Sequence, residues 1–160
     1  MMKSVQTQEE ENAGVNSMNN YLKMEFFSLS SNEGLARTVA AAFFAELDPT
    51  LEELADVRTA VSEAVTNAIV HGYHEKMGII CMECRITDSG LFTVIISDKG
   101  CGIEDVEQAM QPFFTTASGD ERTGMGFAVM QAFMDTLKVV SVPGEGTTVT
   151  MTKQVSLTNE

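Results

Sequence analysis

Basic residues are scarce in this chain. Lys and Arg number 10 against 23 Asp and Glu in 160 residues, a formal charge of −13. Such a surface repels a phosphate backbone instead of displacing its counterions, so neither direct nucleic-acid contact nor an anionic membrane is expected. Two readings of the acidity stay open: attraction of a basic protein surface, or solubility alone. Cysteine is scarce too. Three are present, an odd number that excludes a complete disulfide framework and fits reduced thiols. Cys81 and Cys84 read as C-x-x-C, but in a strand-like run their odd separation points them to opposite faces, which argues against a metal or redox pair. Long apolar runs are missing. No stretch approaches the ~20 apolar residues of a membrane span, and the opening MMKSVQTQEEENAGVNSMNN lacks the apolar centre of a secretory signal. The expectation is a cytoplasmic protein. No internal repeat is found.

What is present suits one globular domain: 44% of the residues are hydrophobic, and the length leaves no room for a second core. Residues 1–19 are polar and turn-rich and read as a disordered tail, residues 20–154 as the domain, and 155–160 as a second short tail. YLKMEFFSL, from Tyr21, has the aromatic content of a strand. Ser30 with Glu33 reads as a capping box, followed by the helical run LARTVAAAFFAEL up to Asp48-Pro49. Thr50 with Glu53 is a second box. Leu51, Leu54, Val57, Val61, Val65 and Ile69 then recur at three- and four-residue steps, predicting a helix down to His71-Gly72.

Two strands around Asp88-Ser89-Gly90 follow, then a long Gly- and Thr-rich segment, KGCGIEDVEQAMQPFFTTASGDERTGMG, with one short helix. A loop that long within a compact domain is usually functional. FAVMQAFMDTL reads as a helix, and KVVSVPGEGTTVTMTKQV as two strands around a Pro-Gly turn. The order β-α-α-β-β-loop-α-β-β predicts an α+β fold: a two-layer sandwich of a mostly antiparallel sheet with helices on one face.

Three spots could carry chemistry. In SEAVTNAIVHG, Glu63 and Asn67 are four residues apart and share one helical face, with His71 continuing the row. Taken alone, that face suits solvent. Asp98 ends a strand and is followed by Gly100 and Gly102. A carboxylate there can accept from an exocyclic amine, and the glycines would let a ligand approach backbone, although a simple turn explains the same letters. Gly124 and Gly126 precede a helix whose N-terminal N–H groups suit phosphate, or merely begin a helix after a loop.

In their order, EAVTNA, DKGCG, PFFTT, TGMGF and GTT resemble the N-box, first glycine box, lid phenylalanines, second glycine box and closing Gly-Thr of the GHKL ATPase superfamily. The resemblance runs from Tyr21 to Lys153 and implies the Bergerat-type ATP-binding fold. Within the superfamily, VSEAVTNAIVHGY, ERTGMGF, LSSNEGLAR and FFAELDPT are most similar to the sporulation anti-sigma factors that are also serine kinases. The resemblance implies ATP and Mg²⁺ as cofactors, with Asn67 as the metal ligand and Glu63 as the general base that takes a proton from a serine hydroxyl. It assigns Asp98 and Thr147 to adenine, Gly100 and Gly102 to nucleotide access, and the backbone of Gly124, Met125 and Gly126 to phosphate.

Residues 111–123 would form the ATP lid, anchored by Phe113 or Phe114, with Thr115 and Arg122 as nucleotide contacts. Ala117 stands where many relatives carry a lysine. The implied partners are a sigma factor, an anti-anti-sigma protein phosphorylated on serine, and a second copy of the chain in a homodimer. Arg37 is read either as a partner contact or as the i,i+4 partner of Glu33. Sigma binding without phosphotransfer is the alternative reading, and hydrolysis without a protein acceptor is a third.

Overall fold

The computed structural model describes residues 20–74, 76–111 and 126–156. The proposed tails and the lid therefore lie largely outside the described residues, as do Phe113, Phe114, Thr115, Arg122, Gly124 and Met125. Strand β1 (Asn20–Phe27) alternates in burial, with Leu22, Met24 and Phe26 turned to the core. It pairs antiparallel with β2 (Ile79–Ile86), Phe27 opposite Ile79. β2 turns at Gly90, whose φ of 82° only glycine adopts freely, into β3 (Leu91–Asp98). β4 (Thr136–Val142) and β5 (Gly146–Gln154) form the last hairpin. The sheet order is β1-β2-β3-β5-β4, with every pairing antiparallel.

One face of the sheet carries Ile80, Met82, Cys84, Phe92, Val94, Ile96, Val149 and Met151, all buried under the helices. Helix α1 (Ser31–Phe44) contributes Ala36, Ala40 and Phe44, and helix α2 (Leu51–Asn67) contributes Val57, Ala60, Val61, Ala64 and Val65. Phe44 and Phe92 meet with ring centroids 4.9 Å apart. Each such fully buried side chain contributes ~1.5–3 kcal/mol relative to exposure. The expected α+β sandwich is the one found. Cys81 and Cys84 do point to opposite faces, and all three cysteines are free.

Two helix starts differ from one another. Thr50 caps α2 as predicted: its Oγ1 accepts from Glu53 N–H at 3.1 Å, while the Glu53 carboxylate accepts from Thr50 N–H at 3.0 Å. Ser30 makes no such bond, because it already has helical angles (φ −54°, ψ −35°). Glu33 is engaged elsewhere: its carboxylate accepts from the Ser62 hydroxyl on α2 and from Arg37 at 3.3 Å. Arg37 is thus the i,i+4 partner of Glu33 within the chain. Leu51 falls off the predicted stripe and is 85% exposed, being the first residue of the helix and ahead of its contact with the sheet.

The helix predicted over FAVMQAFMDTL is shorter. Helix α4 (Gly126–Phe133) stops before Asp135, whose N–H joins Thr152 O and whose carboxylate accepts from Gln154 N–H at 2.6 Å. These cross-strand bonds pull the chain into β4 two residues earlier than periodicity suggests. The short helix expected in the long segment is α3 (Val106–Ala109), capped by Asp105, whose carboxylate accepts from Gln108 N–H at 3.0 Å.

Candidate functional site

The α2 helix does not end as an α-helix. Ala68–Gly72 continues it as one π turn, closed by Tyr73 N–H to Ala68 O at 3.1 Å. Such wide turns recur at functional sites. This one swings the chain against the loop that leaves β3. Gly72 O accepts from Cys101 N–H at 2.8 Å, and the position of a Cβ on Gly100 lies 2.1 Å from Gly72 O. Position 100 therefore needs glycine because backbone meets backbone there. Gly102 has φ +72°, and a Cβ on it would lie 2.3 Å from Val142 O, so the β4–β5 hairpin sets that residue. Tyr73 braces the same loop. Its hydroxyl donates to Ile79 O at 2.6 Å and accepts from Lys99 N–H at 2.8 Å.

Asp98 sits at the end of β3, with its Oδ1 accepting from Gly100 N–H at 2.8 Å and its carboxylate also bonded by Thr147 N–H. Burial raises its pKa above the ordinary aspartate value, and these two donors only partly offset that rise. Gly72 packs directly on the carboxylate: a Cβ there would lie 3.0 Å from Oδ1. The sheet places Thr147 beside it, because Ser97 pairs with Thr148. Thr147 is 9% exposed, the one buried polar residue among those described.

Glu63 and Asn67 meet Gly126 at the start of α4. A Cβ on Gly126 would stand 3.1 Å from Asn67 Nδ2 and 3.2 Å from both Asn67 Oδ1 and Glu63 Oε2. The helical row read from the sequence is thus covered by a second helix start and is not a fully solvated face.

A cavity of about 330 Å³ lies between these elements. Asn67, Asp98, Gly102, Gly126 and Thr147 line it, as do His71, His74 and Cys101. Its apolar walls come from Ala64, Ala68, Ile96, Ile103, Phe127 and Val149. An apolar cleft with a few convergent polar groups is the usual form of a small-ligand site. Glu63 and Gly100 are not part of the lining. Among the described residues no group of three or more His, Cys, Asp or Glu could hold a metal.

Cys101, His74, Tyr73 and Ser141 also belong to this neighbourhood, though none carries a motif signal in the sequence. Cys101 Sγ lies 3.3 Å from His74 Nε2 and donates to His71 O at 3.1 Å. Ser141 was legible in principle: a hairpin turning at Pro143-Gly144 places it opposite Thr147.

Comparison with known proteins gives a consistent picture. Residues 28–153 match the family described as histidine kinase-like ATPase domain. The anti-sigma F factor of Caldanaerobacter subterraneus subsp. tengcongensis is 58% identical over 137 residues, covering 86% of this chain and 95% of that one. The anti-sigma F factor of Clostridium novyi is 52% identical over 137 residues, covering 85% and 95%. Among solved structures, the RsbU and RsbW domains of a Mycobacterium tuberculosis protein superpose with a TM-score of 0.61 at 20% identity, over 86% of this chain and 32% of that one. A blue-light activated histidine kinase of Erythrobacter litoralis does so with 0.54 at 19%, over 76% and 41%. The chain thus spans well under half of either solved structure, and the likeness to them is one of fold.

Proposed function

The chain belongs to the histidine kinase-like ATPase family and, at 58% identity over 137 residues, to the anti-sigma F factors within it; from that premise we propose an ATP-dependent anti-sigma factor that phosphorylates an anti-anti-sigma protein on serine. One observation carries the reading: Asn67, Asp98, Gly102, Gly126 and Thr147, drawn from five separate segments, converge on one cavity. The proposed assembly is a homodimer holding a sigma factor. The acidic charge of −13 supports a basic partner surface.

In this reading Asp98 accepts a hydrogen bond from the adenine amine. Thr147 stands beside it, and the walls of Ile96, Ile103 and Val149 exclude water from the base. Asn67 lies toward the phosphate end, at the start of α4, where N–H groups of a helix terminus favour negative charge. The donor set fits Mg²⁺. That ion takes one or two protein oxygens and keeps phosphate and water as its remaining ligands, so a single amide oxygen suffices on the protein side. Bound there through Asn67, Mg²⁺ would neutralise phosphate charge. Glu63, one turn before Asn67, is the base that takes the proton of the incoming serine hydroxyl.

Sigma binding without phosphotransfer is the second reading, and the position of Glu63 outside the cavity lining favours it. Glu63→Gln separates the two. Binding of ATP and capture of the sigma factor in a pull-down should persist, while single-turnover phosphorylation of the antagonist falls on the order of 100-fold. Phosphotransfer at the wild-type rate removes Glu63 as the base. Loss of capture together with phosphotransfer makes it a structural residue.

A further inference from the structure

Ser141 lies on β4, directly opposite Thr147 on β5, and its Oγ makes three polar contacts. Ile103 N–H donates to it at 2.7 Å. Gly146 O lies 3.1 Å away and Thr147 Oγ1 2.8 Å away. Serine has one hydroxyl proton and two lone pairs, and a carbonyl can only accept. Only one assignment makes all three contacts hydrogen bonds: Ser141 donates to Gly146 O and accepts from both Ile103 N–H and the Thr147 hydroxyl. The Thr147 proton then points away from the cavity that Thr147 lines. What this hydroxyl offers a ligand is lone pairs alone.

We infer that Ser141 is a positioning residue for base selection: by taking the Thr147 proton it presents that hydroxyl to the cavity as an acceptor, beside Asp98, and so selects a base carrying an amino group. The inference rests on the nucleotide reading of the cavity and adds a determinant that touches no ligand. Two neighbouring acceptors suit the two N–H bonds of an exocyclic amine. They oppose a base with a carbonyl at the same position, because a buried acceptor facing an acceptor leaves both unpaired. With Ser141→Ala the Thr147 hydroxyl is free to turn and donate, so the discrimination relaxes.

Titration calorimetry with ATP and inosine triphosphate, which replaces the amine by a carbonyl, tests this. In the wild-type chain ATP binds more tightly than inosine triphosphate. In Ser141→Ala the ratio of the two affinities falls on the order of fivefold, while Ser141→Thr, which keeps a hydroxyl, retains it. Should the alanine variant fail to fold, Ser141→Cys, whose sulfur is a weak acceptor, carries the same test and must lower the ratio. An unchanged ratio, or an equal loss for both nucleotides, overturns the role of Ser141. A wild-type chain that binds ATP without preference overturns this inference together with the contact of Asp98 to the amine, and leaves nucleotide binding itself standing. One that binds neither nucleotide overturns the nucleotide reading with it.

Discussion

Gly126→Ala places one methyl group where α4 meets the Glu63/Asn67 face. The added Cβ would stand 3.1 Å from Asn67 Nδ2 and 3.2 Å from Asn67 Oδ1 and Glu63 Oε2, against 3.4 Å for the onset of ordinary contact. Both side chains must therefore retreat by about 0.2–0.3 Å. Two effects on stability compete. Alanine is worth up to ~1 kcal/mol over glycine inside a helix, and less at its first residue. Overpacking a rigid core costs ~1–3 kcal/mol, and less here because the atoms met are side-chain ends that are not fully buried. These terms nearly cancel, so the melting temperature should move by no more than about 4 °C.

Binding has no such compensation. The amide of Asn67 is displaced from the position it would hold toward the metal and phosphates, and weakening one polar contact to a charged partner, taken on the scale of a charged hydrogen bond, costs up to ~1.5–3 kcal/mol. A partial loss corresponds to ATP affinity lower on the order of tenfold. Calorimetry with Mg·ATP and a thermal melt on one preparation read both quantities. An unaltered ATP affinity in a normally stable variant would refute the claim that this close approach positions Asn67. A melt lowered by 10 °C or more would refute the cancellation.

Asn67→Ala should abolish measurable Mg²⁺-dependent ATP binding while leaving the melt of the free protein close to wild type, since Asn67 is only half-buried; calorimetry checks it. Because burial raises the Asp98 pKa, its carboxylate takes up a proton at a higher pH than an ordinary aspartate. The preference for ATP over inosine triphosphate should therefore begin to fade above the usual aspartate range as pH is lowered, and Asp98→Asn should show no such step. A preference that titrates in neither protein would detach Asp98 from the base. Phe92→Ala removes a fully buried ring packed at a tilt against Phe44 and should cost ~3–5 kcal/mol in urea unfolding without altering the pH step.

Much of this arrangement is legible in the letters, and what is not has a physical reason. The element order, the Thr50/Glu53 cap and the hairpin at Gly90 follow from local rules that act over a few residues. Ser30/Glu33 has the same letters as the second box yet fails. There a tertiary partner, Ser62, competes for the carboxylate, and no local rule sees it. Glu63 and Asn67 are readable as one face, but what covers that face is Gly126, some sixty residues on. The same holds for Gly100, whose missing Cβ makes room for the carbonyl of Gly72, a neighbour that no local rule supplies. The π turn that delivers this carbonyl has no sequence signature in AIVHG.

The position of β5 in the sheet has a consequence for the order of events in synthesis. Although β5 is the last strand in the sequence, it lies between β3 and β4. Until Gly146–Gln154 has left the ribosome, β3 carries an unpaired edge, and Thr147 and Val149 are missing from the cavity wall. Closing that gap is a long-range step, slow relative to hairpin formation. A nascent chain ending before β5 therefore has α2 and the Asp98 loop but lacks part of the cavity wall. The cavity wall is therefore completed only when β5 is in place.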